Sequence, residues 1–310
     1  MRNLVSKKVD TPECLWNDEF DKPAAIPSRV ARQFFCEHMN NRVEDFALFG
    51  GVDAGKDRKF VTALARGLEI LRCFRPGEGY LGNQQLVQRT GLPKATVSRL
   101  THTLIKLGYL SYAEKLGKYH LGTGVLSLGY SLLSNMDVRQ IARPFMQQLA
   151  DYSQASVALG ARDRLHLVYI ENCRSSATVT LRLDVGSRIP IAGTAMGRAL
   201  LCGLPQIERD YLLDLSRQKY PADWQKIRAS VESALKEYAD RGFCSSVGEW
   251  QKDVNAVGVP VTIGNGAGLL AFNCGGPAFQ LRRPMLEDDL GPRLVQLVKN
   301  VEVALGRGGL

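Results

Sequence analysis

Residues 93–107 (PKATVSRLTHTLIKL) combine side-chain types suited to reading a nucleic acid. At helical period Val97, Leu100, Leu104 and Leu107 share one stripe, while Ala95, Ser98, Arg99, His102 and Lys106 share the opposite one. The outer stripe is small, polar and basic. Small side chains let a backbone approach the floor of a major groove, a Ser hydroxyl can bond a base edge or phosphate, and an Arg can fork onto guanine O6 and N7. An ordinary amphipathic surface helix could share this pattern, so the flanking segments decide.

Upstream, residues 60–74 read as an amphipathic helix with Val61, Leu64, Leu68, Leu71 and Ile70 inward and Arg66 and Arg72 elsewhere on its surface. Arg75-Pro76-Gly77 ends it. Asn83 is placed to cap a short helix that runs to Thr90 and buries Leu86 and Val87, and Gly91 closes it in a left-handed conformation. Leu92-Pro93 then opens the helix described above, which completes a helix-turn-helix. Downstream, 109–112 and 118–121 read as two strands around Glu114-Lys115-Leu116-Gly117, a wing tipped with cations. The predicted DNA-binding set is Thr96, Ser98, Arg99 and His102 at the bases, with Arg66, Lys94, Lys115 and Lys118 near phosphates.

Charge supports this reading. The 310-residue chain carries a net +9, and residues 57–123 alone carry +7, the local basic excess of a nucleic-acid module. The length suits two domains.

Three segments, TALARGLEIL at 62–71, KATVSRL at 94–100 and KYHLG at 118–122, resemble the IclR family of bacterial transcriptional regulators, and the resemblance runs from about residue 58 to the C-terminus. It implies an α/β (α+β) protein in which a winged helix-turn-helix is joined by a linker helix to a mixed α/β, GAF- or profilin-like effector domain. The expected divisions are a mobile N-terminal extension at 1–57, the DNA-binding domain at 58–123, a linker and dimerisation helix at 124–137, and the effector-binding domain at 138–310. Met39 is an alternative initiator. The implied partners are operator DNA, a small organic acid (an aromatic one included), and further copies of the chain as a homodimer or dimer of dimers. No cofactor is implied.

Within the second half, helices are expected at 125–133, 137–152, 194–202, 205–215, 223–241 and 284–305, the last kinked at Gly291-Pro292. Strands are expected at 156–161, 165–171, 177–183, 243–248, 254–263 and 268–274, the last two joined through Gly264-Asn265-Gly266-Ala267 as a hairpin. In 185–199 an apolar run meets a small-residue turn into a helix that Thr194 can cap, and the positive end of that helix suits a carboxylate. Tight loop packing explains the same residues equally well, and the resemblance favours a pocket. Carried over position by position, it implies effector contacts at Ile189, Ala195, Met196, Ser246, Val254, Ala256, Asn273 and Gly275. The sequence departs from the family pattern at Asp253, Asn255 and Ala256, so the pocket's polarity is its own.

Other readings are weaker. Seven scattered cysteines and four dispersed histidines suggest reduced thiols in a cytoplasm and no metal site. Residues 50–57 (GGVDAGKD) miss a phosphate-binding loop by one position, because Asp57 stands where a Ser or Thr must hold magnesium. The uncharged stretch 254–281 is long enough to span a membrane, but its prolines and glycines fit paired strands better. No nucleophile elbow, zinc-protease motif or dinucleotide fingerprint is present, so the chain is expected not to be an enzyme. The alternatives are an enzyme acting on a small carboxylic acid in its C-terminal half, and a winged helix that binds protein.

Overall fold

A computed structural model describes residues 59–176, 181, 183–264 and 268–307. All of them belong to one of the chain's two compact units, residues 40–310. The expected extension at 1–57 and the near-miss phosphate loop lie outside the described residues.

Three helices, α1 (Thr62–Arg72), α2 (Asn83–Thr90) and α3 (Lys94–Lys106), pack with a hairpin of β1 (Leu110–Ala113) and β2 (Lys118–Leu121). Ile70, Leu81, Leu86, Val97, Leu104 and Leu110 form their shared core. A backbone bridge from Leu81 to Tyr119 ties the hairpin to the segment before α2. Gly91 ends α2 at φ 67°, a conformation that costs glycine little and turns the chain straight into α3.

Three local readings need correction. Gly82, not Asn83, is the N-cap of α2: its N–H donates to the Gln85 side chain at 2.8 Å, while Asn83 donates to Ser98. On α3 it is Thr101, not Leu107, that completes the buried stripe, because Leu107 falls beyond the last turn. On α1 the core face is Gly67, Ile70 and Cys73, and Val61, Leu64 and Leu68 are exposed. Ile70 is inward as expected and Leu71 packs against the core, whereas Val61, Leu64 and Leu68 form a second apolar stripe that faces away from it.

Helix α4 (Thr123–Ser134) follows with no buried residue: Leu126 is 74 % exposed, Tyr130 71 % and Leu132 63 %. Beyond it, α5 (Asp137–Ser153) starts the larger unit. Its six-stranded antiparallel sheet has the order β5-β4-β3-β8-β7-β6, built from β3 (Ser156–Asp163), β4 (His166–Arg174), β5 (Arg188–Pro190), β6 (Cys244–Val247), β7 (Val254–Ile263) and β8 (Gly268–Pro277). Register Ile263↔Gly268 closes the expected hairpin. Alternation places Val257, Val259, Val261, Leu270, Phe272 and Cys274 against α5 and α9 (Gly291–Arg307). The other face receives α6 (Ala195–Gly203), backed by α8 (Trp224–Arg241), with α7 (Gln206–Lys219) between them in the chain.

Most of the strand expected at 177–183 lies outside the described residues, and Leu181 and Leu183 are not in a strand. The edge strand is β5 instead, paired with β4 by only three residues, too few to show a period-two pattern. The helix expected at 284–305 runs through a π-helical turn at Leu286–Leu290 into α9 at Gly291. Pro292 can neither donate to the carbonyl four residues back nor avoid its ring clashing there, so the preceding turn widens.

Candidate DNA-reading surface and effector pocket

On α3, Lys94, Ser98, Arg99 and His102 are exposed and Thr96 is half-buried, while Val97, Thr101 and Leu104 anchor the opposite side. Ser98 accepts a hydrogen bond from Asn83 Nδ2 at 3.0 Å, which ties the start of α2 to the exposed face of α3. Lys115 lies in the single 3-10 turn between β1 and β2, and Lys118 opens β2; both are exposed, as is Arg66 on α1. Arg89 contributes to the basic excess but is committed internally. It donates to Glu78 at 2.7 and 3.0 Å and to the Cys73 carbonyl at 2.8 Å, closing α2 onto the end of α1.

A second site lies between the sheet and α6. Tyr169, Leu181, Ile189, Thr194, Ala195, Ser246, Trp250, Val254, Ala256 and Asn273 line a shared cavity there. Six of the eight expected positions line it. The other two stand behind the wall. Met196 is fully buried with its Sδ packed on Gly160, and Gly275 backs onto Ala256 and Asn273. Tyr169, Leu181 and Trp250 were not anticipated. Tyr169 is an inward residue of β4, and Trp250 is a large aromatic in the otherwise polar loop between β6 and β7, a signal the sequence did offer.

The close approach of α6 forms this wall. A Cβ on Gly258 would stand 2.5 Å from the Ala195 carbonyl, so only glycine lets the first turn of α6 sit on β7. Thr194 caps that turn, accepting from the Gly197 N–H at 3.0 Å and donating to the Pro190 carbonyl at 2.8 Å. Ser246 donates to the Gly193 carbonyl at 2.8 Å from the other side. Arg198, buried in the same helix, donates to the Ser245 carbonyl, Ser230 and Glu249, and so holds the loop that carries Trp250.

Among the described residues no Lys, Arg or His lines the pocket, and its polar groups are neutral. Burial pushes the Tyr169 hydroxyl up to about 12, against a hydrogen bond from Asn273 that lowers it, so it is a protonated donor at neutral pH. Asn273 Nδ2 donates to that hydroxyl at 3.5 Å, and its buried Oδ1 has no partner. A buried acceptor without a donor costs about 1–3 kcal/mol, a cost a ligand donor would relieve.

Arg139 on α5 joins the pocket strand to the linker. It donates to the Leu133 carbonyl at the end of α4 (2.9 Å) and to the Ile170 carbonyl beside Tyr169 (2.6 Å), and pairs with Glu171 at 3.1 Å. Arg143 completes the pair with Glu171 at 2.7 Å. Among the described residues no group of His, Cys, Asp and Glu could hold a metal ion, and no helix is long and apolar enough to cross a membrane.

A winged helix-turn-helix in one chain with a pocket-bearing α/β domain defines a transcriptional regulator. The comparisons make this specific. Residues 63–114 match the IclR helix-turn-helix domain, and residues 130–301 match the bacterial transcriptional regulator IclR C-terminal domain. The HTH-type transcriptional regulator TsaQ1/TsaQ2 of Comamonas testosteroni is 38 % identical over 79 % of this chain and 88 % of its own length. The Pca regulon regulatory protein of Pseudomonas putida is 29 % identical over 77 % and 82 %. The crystal structure of an IclR family transcriptional regulator from Brucella abortus is 51 % identical, with a TM-score of 0.76, over 80 % of this chain and 94 % of that one. The chain belongs to the IclR family of bacterial transcriptional regulators.

Proposed function

We propose that this regulator binds operator DNA in the cytoplasm as a homodimer or dimer of dimers and responds to a small organic acid held in the pocket. It has no catalytic role. The observation that carries the reading is the exposed polar and basic face of α3, continued by Lys115 and Lys118 on the wing, above a core that fixes its orientation. Thr96, Ser98, Arg99 and His102 contact bases, while Arg66, Lys94, Lys115 and Lys118 contact phosphates. In the pocket, Tyr169, Leu181, Ile189, Trp250 and Val254 suit a flat apolar body, and the N-terminal end of α6 suits a carboxylate. Ile189, Ala195, Ser246, Val254, Ala256 and Asn273 touch the ligand, whereas Met196 and Gly275 shape the wall from behind.

Binding to DNA from around the chain's own gene, across a salt series and against scrambled competitor, tests this. Tight, site-selective binding with a steep negative log–log salt slope is expected. Arg99→Ala should lose about 1–3 kcal/mol and relax base preference at one position. An unchanged ratio between operator and scrambled DNA would reject Arg99 as a base reader.

A further inference from the structure

Apart from the pocket's own polar groups, one pair of sulfur nucleophiles among the described residues lies in contact. Cys202, in the last turn of α6, and Cys244, the first residue of β6, bring their Sγ atoms to 3.5 Å. Cys244 is fully buried and Cys202 only partly, so Cys202 is the outer residue of the pair. Arg209 is held beside the outer thiol by its bonds to the Leu201 and Leu204 carbonyls at 3.4 and 3.2 Å. The hydrogen-bonded contact with Cys244 keeps the Cys202 thiol below its ordinary range, and Arg209 and Arg198 act in the same direction against burial and Glu237. Cys244 is fully buried and also donates to the Ala234 carbonyl at 3.7 Å, so Cys202, the partly exposed sulfur near Arg209, is the one placed to react first. Cys173 and Cys274 are both pushed up to about 11, chiefly by burial, which leaves them unreactive by comparison.

The two cysteines sit on elements that wall the pocket. Ala195 opens α6, and Ser246 lies two residues along β6 from Cys244. We propose that Cys202 and Cys244 form a hydroperoxide-reactive dithiol whose disulfide locks α6 to β6 and fixes the spacing of the pocket walls. The Cys202 thiolate attacks a peroxide oxygen, forming an S–O bond as the O–O bond breaks, and the released alkoxide or hydroxide takes up a proton. Cys244 sulfur then displaces the oxygen from Cys202. The S–S bond forms, the S–O bond breaks, and hydroxide leaves as water with the Cys244 proton. Two thiols lose two electrons, and the hydroperoxide is reduced to an alcohol and one water, or, for hydrogen peroxide, to two waters. The sulfurs must close from 3.5 Å to about 2.0 Å. In a reducing compartment such a bond is transient and serves sensing rather than structure. The inference goes beyond the proposed function and depends on neither the operator nor the effector being known.

The test treats the full-length protein with hydrogen peroxide, blocks remaining thiols and maps tryptic peptides. Expected is a cross-link between the peptide 199–209 and the peptide 242–252 that a thiol reductant reverses. In C244S the reaction should stop at a Cys202 sulfenic acid that dimedone labels, whereas in C202S Cys244 should stay unlabelled. Amide hydrogen exchange across 195–203 and 244–247 should slow several-fold in the oxidised wild type and remain unchanged in both variants. Thermal melts confirm that the variants fold. Peroxide that leaves both cysteines as free thiols, or that labels Cys244 in C202S, overturns the site. A disulfide that forms without slowing exchange in those segments overturns the lock.

Discussion

At the scale of single residues, Tyr169 and Asn273 set the chemistry of the pocket. Each is buried, each is neutral, and their one mutual hydrogen bond leaves the Asn273 carbonyl oxygen without a donor. Tyr169 also marks stability with pH. Its folded value of about 12 lies above the ordinary 10, so the folded state favours the protonated form. Its contribution is complete below pH 10 and is lost as pH rises from about 10 through 12, worth about 2–3 kcal/mol at most. Denaturant unfolding of wild type and Tyr169→Phe between pH 8 and 12 checks this: the wild-type curve should fall more steeply above pH 10. Parallel curves would mean that the hydroxyl is better solvated than its surroundings imply. Asn273 comes from the family resemblance, position by position, which does not reveal that Tyr169 faces it across β3. That pairing depends on sheet order, which no local pattern encodes.

At the scale of elements, the parts read best were those with local signatures. Thr194 caps α6 as its position before a helical run predicts, Gly91 ends α2, and β7 begins and ends where the uncharged run meets its turn residues. Faces were harder to assign. Val61, Leu64 and Leu68 form as good a helical stripe as the true core face, and only the tertiary contacts of Gly67 and Ile70 decide between them. Met196 and Gly275 show the same limit within the pocket, since a matched position does not reveal which side of a wall a side chain occupies. Arg139 is the element-scale joint that sequence left unmarked. Its guanidinium fork binds the end of α4, the strand carrying Tyr169 and the Glu171 carboxylate together, which one planar five-donor group can do and an ammonium cannot. Arg139→Lys should therefore keep ligand affinity but shrink the ligand's effect on operator affinity, a coupling typically about 1–3 kcal/mol. Operator titrations of both proteins, with and without a saturating acid found by screening, measure it. A variant that responds as the wild type does would place the coupling elsewhere.

At the scale of the whole molecule, the leading question is what covers the exposed apolar surface. Leu126, Leu128, Tyr130 and Leu132 on α4, with Val61, Leu64 and Leu68 on α1, leave far more apolar side chain in water than scattered surface residues would. The proposed homodimer would cover it: a two-fold interface would pair the same helices with themselves and present two copies of α3 at a spacing fixed by the dimer. The double substitution Leu126→Glu, Leu132→Glu tests this without touching the core, because both residues are largely exposed within one chain. Burying four carboxylates across a two-fold interface should break it. Sedimentation velocity at micromolar concentration should show monomer where the wild type shows dimer or larger, with unchanged far-ultraviolet circular dichroism. Operator affinity should fall by about 100-fold or more, since each half-site is then held by one winged helix without the gain from linkage. A variant that still sediments as a dimer would put the interface on another face. One that is monomeric yet binds operator with wild-type affinity would mean that a single α3 and its wing supply the whole of recognition.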